Sequence, residues 1–140
     1  MEYEQLAAEI LDCVQRAEPL KAFDVGMCGE TFILRYVDEH QSASVTPSQI
    51  SGAMNVSSAR IAAALNTLEK KGLVVRTFDK NDRRKTLVSL TEEGRAAAQK
   101  QKLSVLQKIS YTLRLLGERD AEDFMRITRK LAEIPNIFSP

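Results

Sequence analysis

Apolar positions recur along this chain at two periods, and the switch between them outlines the fold. Over residues 2–17, Leu6, Ile10, Cys13 or Val14, and Ala17 fall on one face, which predicts an amphipathic helix. Pro19 closes it or starts a new turn. From Leu20 to Gly29, the apolar Phe23, Val25 and Met27 are punctuated by Gly26 and Gly29, a pattern that fits a short helix or a loop. Glu30 to His40 predicts a helix with Phe32, Ile33, Tyr36 and Val37 inward, and Gln41 to Ser44 is linker.

The central stretch runs from Thr46 to Thr91. Thr46-Pro47-Ser48-Gln49 is a capping box, and Pro47 takes the first helical position, where an N–H is not needed. Met54-Asn55-Val56 turns the chain, and Ser57 caps a second helix stapled by Val56 and Ile61. Ile61, Leu65 and Leu68 are its buried stripe, and Gly72 ends it where a left-handed residue is required. The period then falls to two: Leu73-Val74-Val75 and Thr86 to Leu90 predict strands, joined by the charged tip Asp79 to Lys85. Thr91 caps again, with Glu92 and Glu93 in the first turn of a long helix to about Leu116 carrying Ala97, Leu103, Leu106, Ile109 or Ser110, Leu113 and Leu116. Gly117 breaks it. A last helix, about 120–133, sets Phe124, Ile127 and Leu131 on one side, before Pro135 and an Ile137-Phe138 tail. The fold class is mainly α with a small antiparallel β wing: a winged helix-turn-helix flanked by further helices. The outer apolar stripes exceed what one small domain buries, which predicts a twofold dimer.

Composition narrows the class. In 140 residues, 44% hydrophobic, no apolar run approaches a membrane span and no leader is visible, so a single domain in a reducing cytoplasm is expected. Two cysteines fifteen apart and one histidine offer neither a disulfide scaffold nor a metal cluster, and no cofactor is expected. No nucleophile–base pair, paired carboxylates or Gly-rich phosphate loop points to an enzyme. The net charge of +1 hides an asymmetry: residues 1–40 hold nine acids against three bases, and residues 70–85 hold seven bases against two acids. An acidic body with a basic tip directs one surface toward phosphate, so double-stranded DNA is the expected partner. A winged helix used for protein–protein contact is the rival, and Arg83-Arg84-Lys85 argue against it.

At 100° per residue, Ala59, Ala63, Asn66 and Lys70 oppose the buried stripe of the second helix, with Ser58, Arg60, Ala62 and Thr67 beside them. Alanine methyls can meet thymine methyls, but only Arg60 and Asn66 can make bidentate base contacts. Direct readout is therefore confined to a few positions, with Ser57, Ser58, and Thr46 or Ser48 on phosphates. From the basic tip, Lys80, Arg83 and Lys85 are expected on DNA, with Arg83 on the backbone.

Three blocks, Leu68 to Arg76 (LEKKGLVVR), Asp82-Arg83-Arg84 and Val88 to Gly94 (VSLTEEG), resemble in order and spacing the MarR family of multiple antibiotic resistance regulators. The resemblance covers residues 30–95 well and the outer helices by pattern. It implies a homodimeric transcription regulator, with residues 30–92 as the winged helix-turn-helix and residues 2–18 and 95–134 as the dimerisation part. The winged helices would sit on a pseudo-palindromic operator, and binding would be released by a small-molecule effector. It further implies that Arg84 enters the minor groove while Asp82 holds the wing by pairing with a nearby arginine; Asp82 and Arg76 are the expected wing-stabilising residues. Repression is the expected outcome.

Other residues have weaker functional readings. Cys28, before a helix start that favours thiolate, could make the protein a thiol-based redox sensor; two buried structural thiols, Cys13 and Cys28, are the preferred account. His40 reads as an exposed or capping residue. Tyr3, Tyr36 and Tyr111 are core residues by default, or the lining of an effector cleft.

Overall fold

The computed structural model describes residues 2–21 and 29–135. Helix α1 spans Tyr3–Arg16 and is followed by a 3-10 turn, Glu18–Leu20. Helices α2 (Gly29–Glu39), α3 (Pro47–Met54) and α4 (Ser58–Lys70) precede strands β1 (Val74–Phe78) and β2 (Thr86–Leu90). Helices α5 (Glu92–Leu116) and α6 (Glu118–Glu133) complete the fold.

The local chemistry of the caps sets these boundaries. Thr46 Oγ1 accepts from the Gln49 backbone N–H at 3.3 Å, while Gln49 Oε1 accepts from the Thr46 N–H at 3.0 Å, a reciprocal box that satisfies two orphan donors. Asn55 (φ 54°, ψ 46°) makes the left-handed turn between α3 and α4, and Ser57 Oγ accepts from the Arg60 N–H at 3.3 Å. Gly72, with φ 72°, ends α4 and starts the hairpin.

One buried cluster holds the winged part together. Ile33, Leu34 and Val37 of α2 meet Ile50 of α3, Ile61, Leu65 and Leu68 of α4, Val74 and Val88 of the hairpin, Val45, and Ala98 of α5. Two details depart from the sequence pattern. Leu34 joins Ile33 and Val37 in the core, whereas Phe32 and Tyr36 are only half-buried and stack on each other, with His40 stacked on Tyr36. Val45, between the linker and the capped helix, bridges to Val88 and accepts its N–H at 2.8 Å, so the hairpin edge is partly covered. Strand β1 also runs three residues beyond Val75, paired in register with β2 from Val74↔Leu90 to Phe78↔Thr86.

Helix α5 is locked to the base of the hairpin. The Thr91 hydroxyl donates to the Gly72 carbonyl at 2.6 Å, the Thr91 N–H donates to the Leu73 carbonyl at 3.1 Å, and Thr91 Oγ1 accepts from the Gly94 N–H at 3.0 Å. Gly94 is buried, and a Cβ placed there would lie 1.8 Å from the Leu73 carbonyl oxygen.

The outer helices behave differently. Helices α1 and α6 bury no residue, and Leu6, Ile10, Leu11, Val14, Leu103, Leu106, Leu115, Ile127 and Leu131 are exposed. Cys13 is exposed too, so the reading of it as a buried structural thiol is corrected: among the described residues, no helix covers its side of α1. Cys28, Phe23, Val25, Met27 and the Ile137-Phe138 tail lie outside the described residues. Among the described residues, no helix is long and apolar enough to cross a membrane, and no three His, Cys, Asp or Glu side chains group as metal ligands.

Candidate nucleic-acid interface

Two elements present the candidate residues. On α4, the core stripe leaves Ser57, Ser58, Ala59, Arg60, Ala62, Ala63, Asn66, Thr67 and Lys70 exposed, the face expected from helical spacing. The hairpin lifts Lys80, Arg83, Arg84 and Lys85 clear of the body, all exposed, and the Arg84 side chain is 96% exposed.

The hairpin tip is shaped by backbone and carboxylates. The Asp79 N–H donates to the Lys85 carbonyl at 3.0 Å and the Lys85 N–H to the Asp82 carbonyl at 2.9 Å. Asp79 Oδ1 accepts from the Asn81 N–H at 2.8 Å, and Asp82 Oδ1 from the Arg84 N–H at 3.0 Å. Each is a short Asx turn, which holds a tight reversal without glycine. Arg84 Nε stands 3.6 Å from the same Asp82 oxygen.

The arginine beside Asp82 is Arg84, two residues on. Arg76 points instead from β1 to α4: its Nε and Nη2 donate to Glu69 Oε2 at 2.9 and 2.6 Å, and its Nη2 also donates to Asn66 Oδ1 at 2.5 Å. The alternation of β1 puts Arg76 on the face turned to α4, within reach of the helix's last two turns. Arg76 thus fixes the angle between hairpin and helix. The same contact occupies the acceptor of Asn66, so a bidentate reading of adenine by that side chain requires Arg76 to let go. Glu69 has no role in the sequence reading. Its signal is that it is the sole acid on α4.

Ser57 is committed to its cap, and Thr46 to its box, which leaves each hydroxyl a donor to offer a phosphate oxygen. The structure thus brings Ser57, Ser58, Ala59, Arg60, Ala63 and Asn66 onto one helix and Lys80, Arg83, Arg84 and Lys85 onto one hairpin, joined by Arg76. Of the three tyrosines, Tyr3 is 77% exposed on α1 and Tyr36 is held in its ring stack. Tyr111 lines a hollow with Pro19, Lys108, Thr112 and Leu115.

A helix pair joined by a tight turn, followed by a raised basic hairpin, defines a winged helix DNA-binding domain, and residues 30–110 match the family described as winged helix DNA-binding domain. The chain belongs to that family and is a MarR-like winged helix-turn-helix transcription regulator. It is 32% identical over 102 residues to the uncharacterized HTH-type transcriptional regulator YwhA of Bacillus subtilis strain 168, covering 73% of this chain and 72% of that one. It is also 26% identical over 110 residues to the HTH-type transcriptional repressor YetL of the same organism, covering 79% of this chain and 66% of that one. Its fold is that of Streptococcus pneumoniae FabT, solved in complex with DNA, at a TM-score of 0.67 and 19% identity over 94% of this chain and 96% of that one.

Proposed function

We propose that the protein is a homodimeric repressor of the cytoplasm that binds a pseudo-palindromic operator, with α4 in the major groove and the hairpin in the minor groove. One observation carries this reading: the four exposed cations of the hairpin and the exposed face of α4 are held at a fixed angle by Arg76, as two-groove contact requires. The FabT complex with DNA supports the partner and the name of YetL supports repression. Residues 30–92 are the reading part. The exposed apolar faces of α1, the far end of α5, and α6 supply the dimer surface, since such stripes are costly to leave in water. Roles follow the geometry: Arg84 enters the minor groove, Arg83, Lys80 and Lys85 neutralise phosphates, and Ser57 and Ser58 fix the helix end on the backbone. Arg60 and the alanine face read bases.

Selection of binding sites from a random pool is the test. Two half-sites about one helical turn apart, flanked by A·T-rich minor grooves, are expected. A long, strictly read G·C core without A·T preference would contradict the limited readout that an alanine-rich face allows. Sedimentation of the purified protein should give a dimer at micromolar concentration.

Effector release has a site in this reading. Between α2 and α5, a cavity of about 180 Å³ is lined by Thr31, Arg35, Glu39, Ala98, Gln101, Lys102, Val105 and Leu106. Arg35 Nε and Gln101 Oε1 are buried there without a hydrogen-bond partner. An orphan donor and an orphan acceptor in one lining, with Arg35 and Lys102 outnumbering Glu39 and an apolar wall, suit a small amphipathic ligand that carries an acidic group. Such a ligand would push α2 and α5 apart and spoil the simultaneous fit of both half-sites. Arg35→Met should abolish ligand-induced thermal stabilisation across a panel of aromatic carboxylates while leaving DNA affinity intact. Stabilisation that survives the change would place the effector elsewhere. No observation on the described residues favours redox sensing through Cys28.

A further inference from the structure

The hairpin carries an apolar group that the charge-based reading leaves unused. Phe78 ends β1, pairs in register with Thr86 and is 71% exposed. Among the described residues no ring stacks on it. Strand alternation puts it on the same face as Val74, which is buried in the core, and Arg76, which reaches Asn66 and Glu69 of α4. The ring therefore continues the face turned toward α4, at the point where the hairpin leaves the body, between the helix and the basic tip. It shares a shallow hollow with Asp79, Lys80 and Arg83.

An aromatic ring between cations is how proteins follow a nucleic-acid backbone and lay an apolar surface on its sugars and bases. We infer that Phe78 is a non-ionic DNA contact, its ring packing against deoxyribose and base edges at the wall of the minor groove that Arg84 enters. This inference rests on the proposed DNA binding. The occupant is duplex DNA because Lys80 and Arg83 share the hollow with the ring and Arg84 and Lys85 follow on the same exposed hairpin, a concentration of positive charge that attracts phosphate. An apolar contact displaces no counterions from DNA, so its loss has a signature distinct from the loss of an arginine.

The test compares wild type, Phe78→Ala, Phe78→Leu and Arg84→Ala on a duplex selected by the wild-type protein, by fluorescence anisotropy over a salt series. Phe78→Ala should weaken binding about tenfold at every salt concentration with an unchanged salt slope, and Phe78→Leu should recover part of the loss. Phe78→Ala binding like the wild type would overturn the inference. So would a shallower slope matching that of Arg84→Ala, which would mean that the ring only positions the cations. Thermal unfolding of each variant guards against loss of fold, and the leucine variant, which keeps apolar bulk, decides the matter if alanine unsettles the hairpin. A wild type that binds no duplex at all defeats the proposed function, and this inference with it; a binding wild type with an indifferent Phe78 defeats this inference alone.

Discussion

Replacing Arg84 by alanine is expected to abolish most operator binding and to flatten its dependence on salt. The side chain is almost fully exposed at the hairpin tip beside Asp82, which also sets its backbone, so the change deletes a charge without uncovering the core. A charge-assisted hydrogen bond contributes about 1.5–3 kcal/mol, or roughly ten- to a hundredfold in affinity for each protomer. A cation held in the minor groove displaces counterions as one on a phosphate does, so removing it should make the slope of log affinity against log salt shallower by about 0.9, and a dimer on its operator forfeits two such cations. Gel shifts at two salt concentrations measure both quantities. Unaltered binding would remove the wing from the interface and with it the two-groove reading.

Gly94→Ala is expected to be the most damaging small substitution in the fold. The added carbon would fall 1.8 Å from a backbone carbonyl oxygen, that of Leu73, so no side-chain rotation can relieve it. Either α5 backs away and breaks its hydrogen bonds through Thr91, or the start of β1 shifts and drags Val74 out of the core. Overpacking with backbone displacement costs about 2–3 kcal/mol, which for a chain of this size lowers Tm by roughly 10 °C. Differential scanning calorimetry of the variant checks it. A Tm within a degree or two of wild type would show that the junction yields easily. DNA affinity at low temperature should fall as well, because the same junction supports the hairpin.

The parts of the fold that were legible in the sequence are those encoded within a few residues. The Thr46–Gln49 box, the Asn55 turn, the Ser57 and Thr91 caps and Gly72 each bond to near neighbours, so residue type and spacing suffice to place them. The exposed face of α4 followed from its buried stripe in the same way. What stayed hidden depends on neighbours distant along the chain. Val45 reaches Val88 across 43 positions, and a lone valine between two segments carries no mark of such a partner. Arg76 is expected from the sequence to steady the wing, but its partners, Glu69 and Asn66, lie seven and ten positions back on another element, so spacing within the hairpin does not name them. Phe78 falls between the apolar run that ends at Val75 and the charged tip that starts at Asp79, and only its pairing with Thr86 puts it in the strand. The Arg35–Gln101 cavity could not be seen either, because two helices 66 positions apart create it. Leu34 was missed for a subtler reason: α2 is covered on more than one side, so its buried arc is wider than a single stripe.

The fastening of α5 to the start of β1 has a mechanical consequence. With Thr91 bonded to Gly72 and Leu73, and with no side chain at Gly94 to hold the surfaces apart, the 25-residue helix and the hairpin form a single lever. At 1.5 Å per residue its arm is about 37 Å long. A tilt of a few degrees imposed at the Leu116 end would swing the opposite end by about 2 Å, several times the roughly 0.5 Å by which a hydrogen bond can stretch before it fails. Stiffness at that joint would let a small push far from the nucleic acid be felt at the groove undiminished.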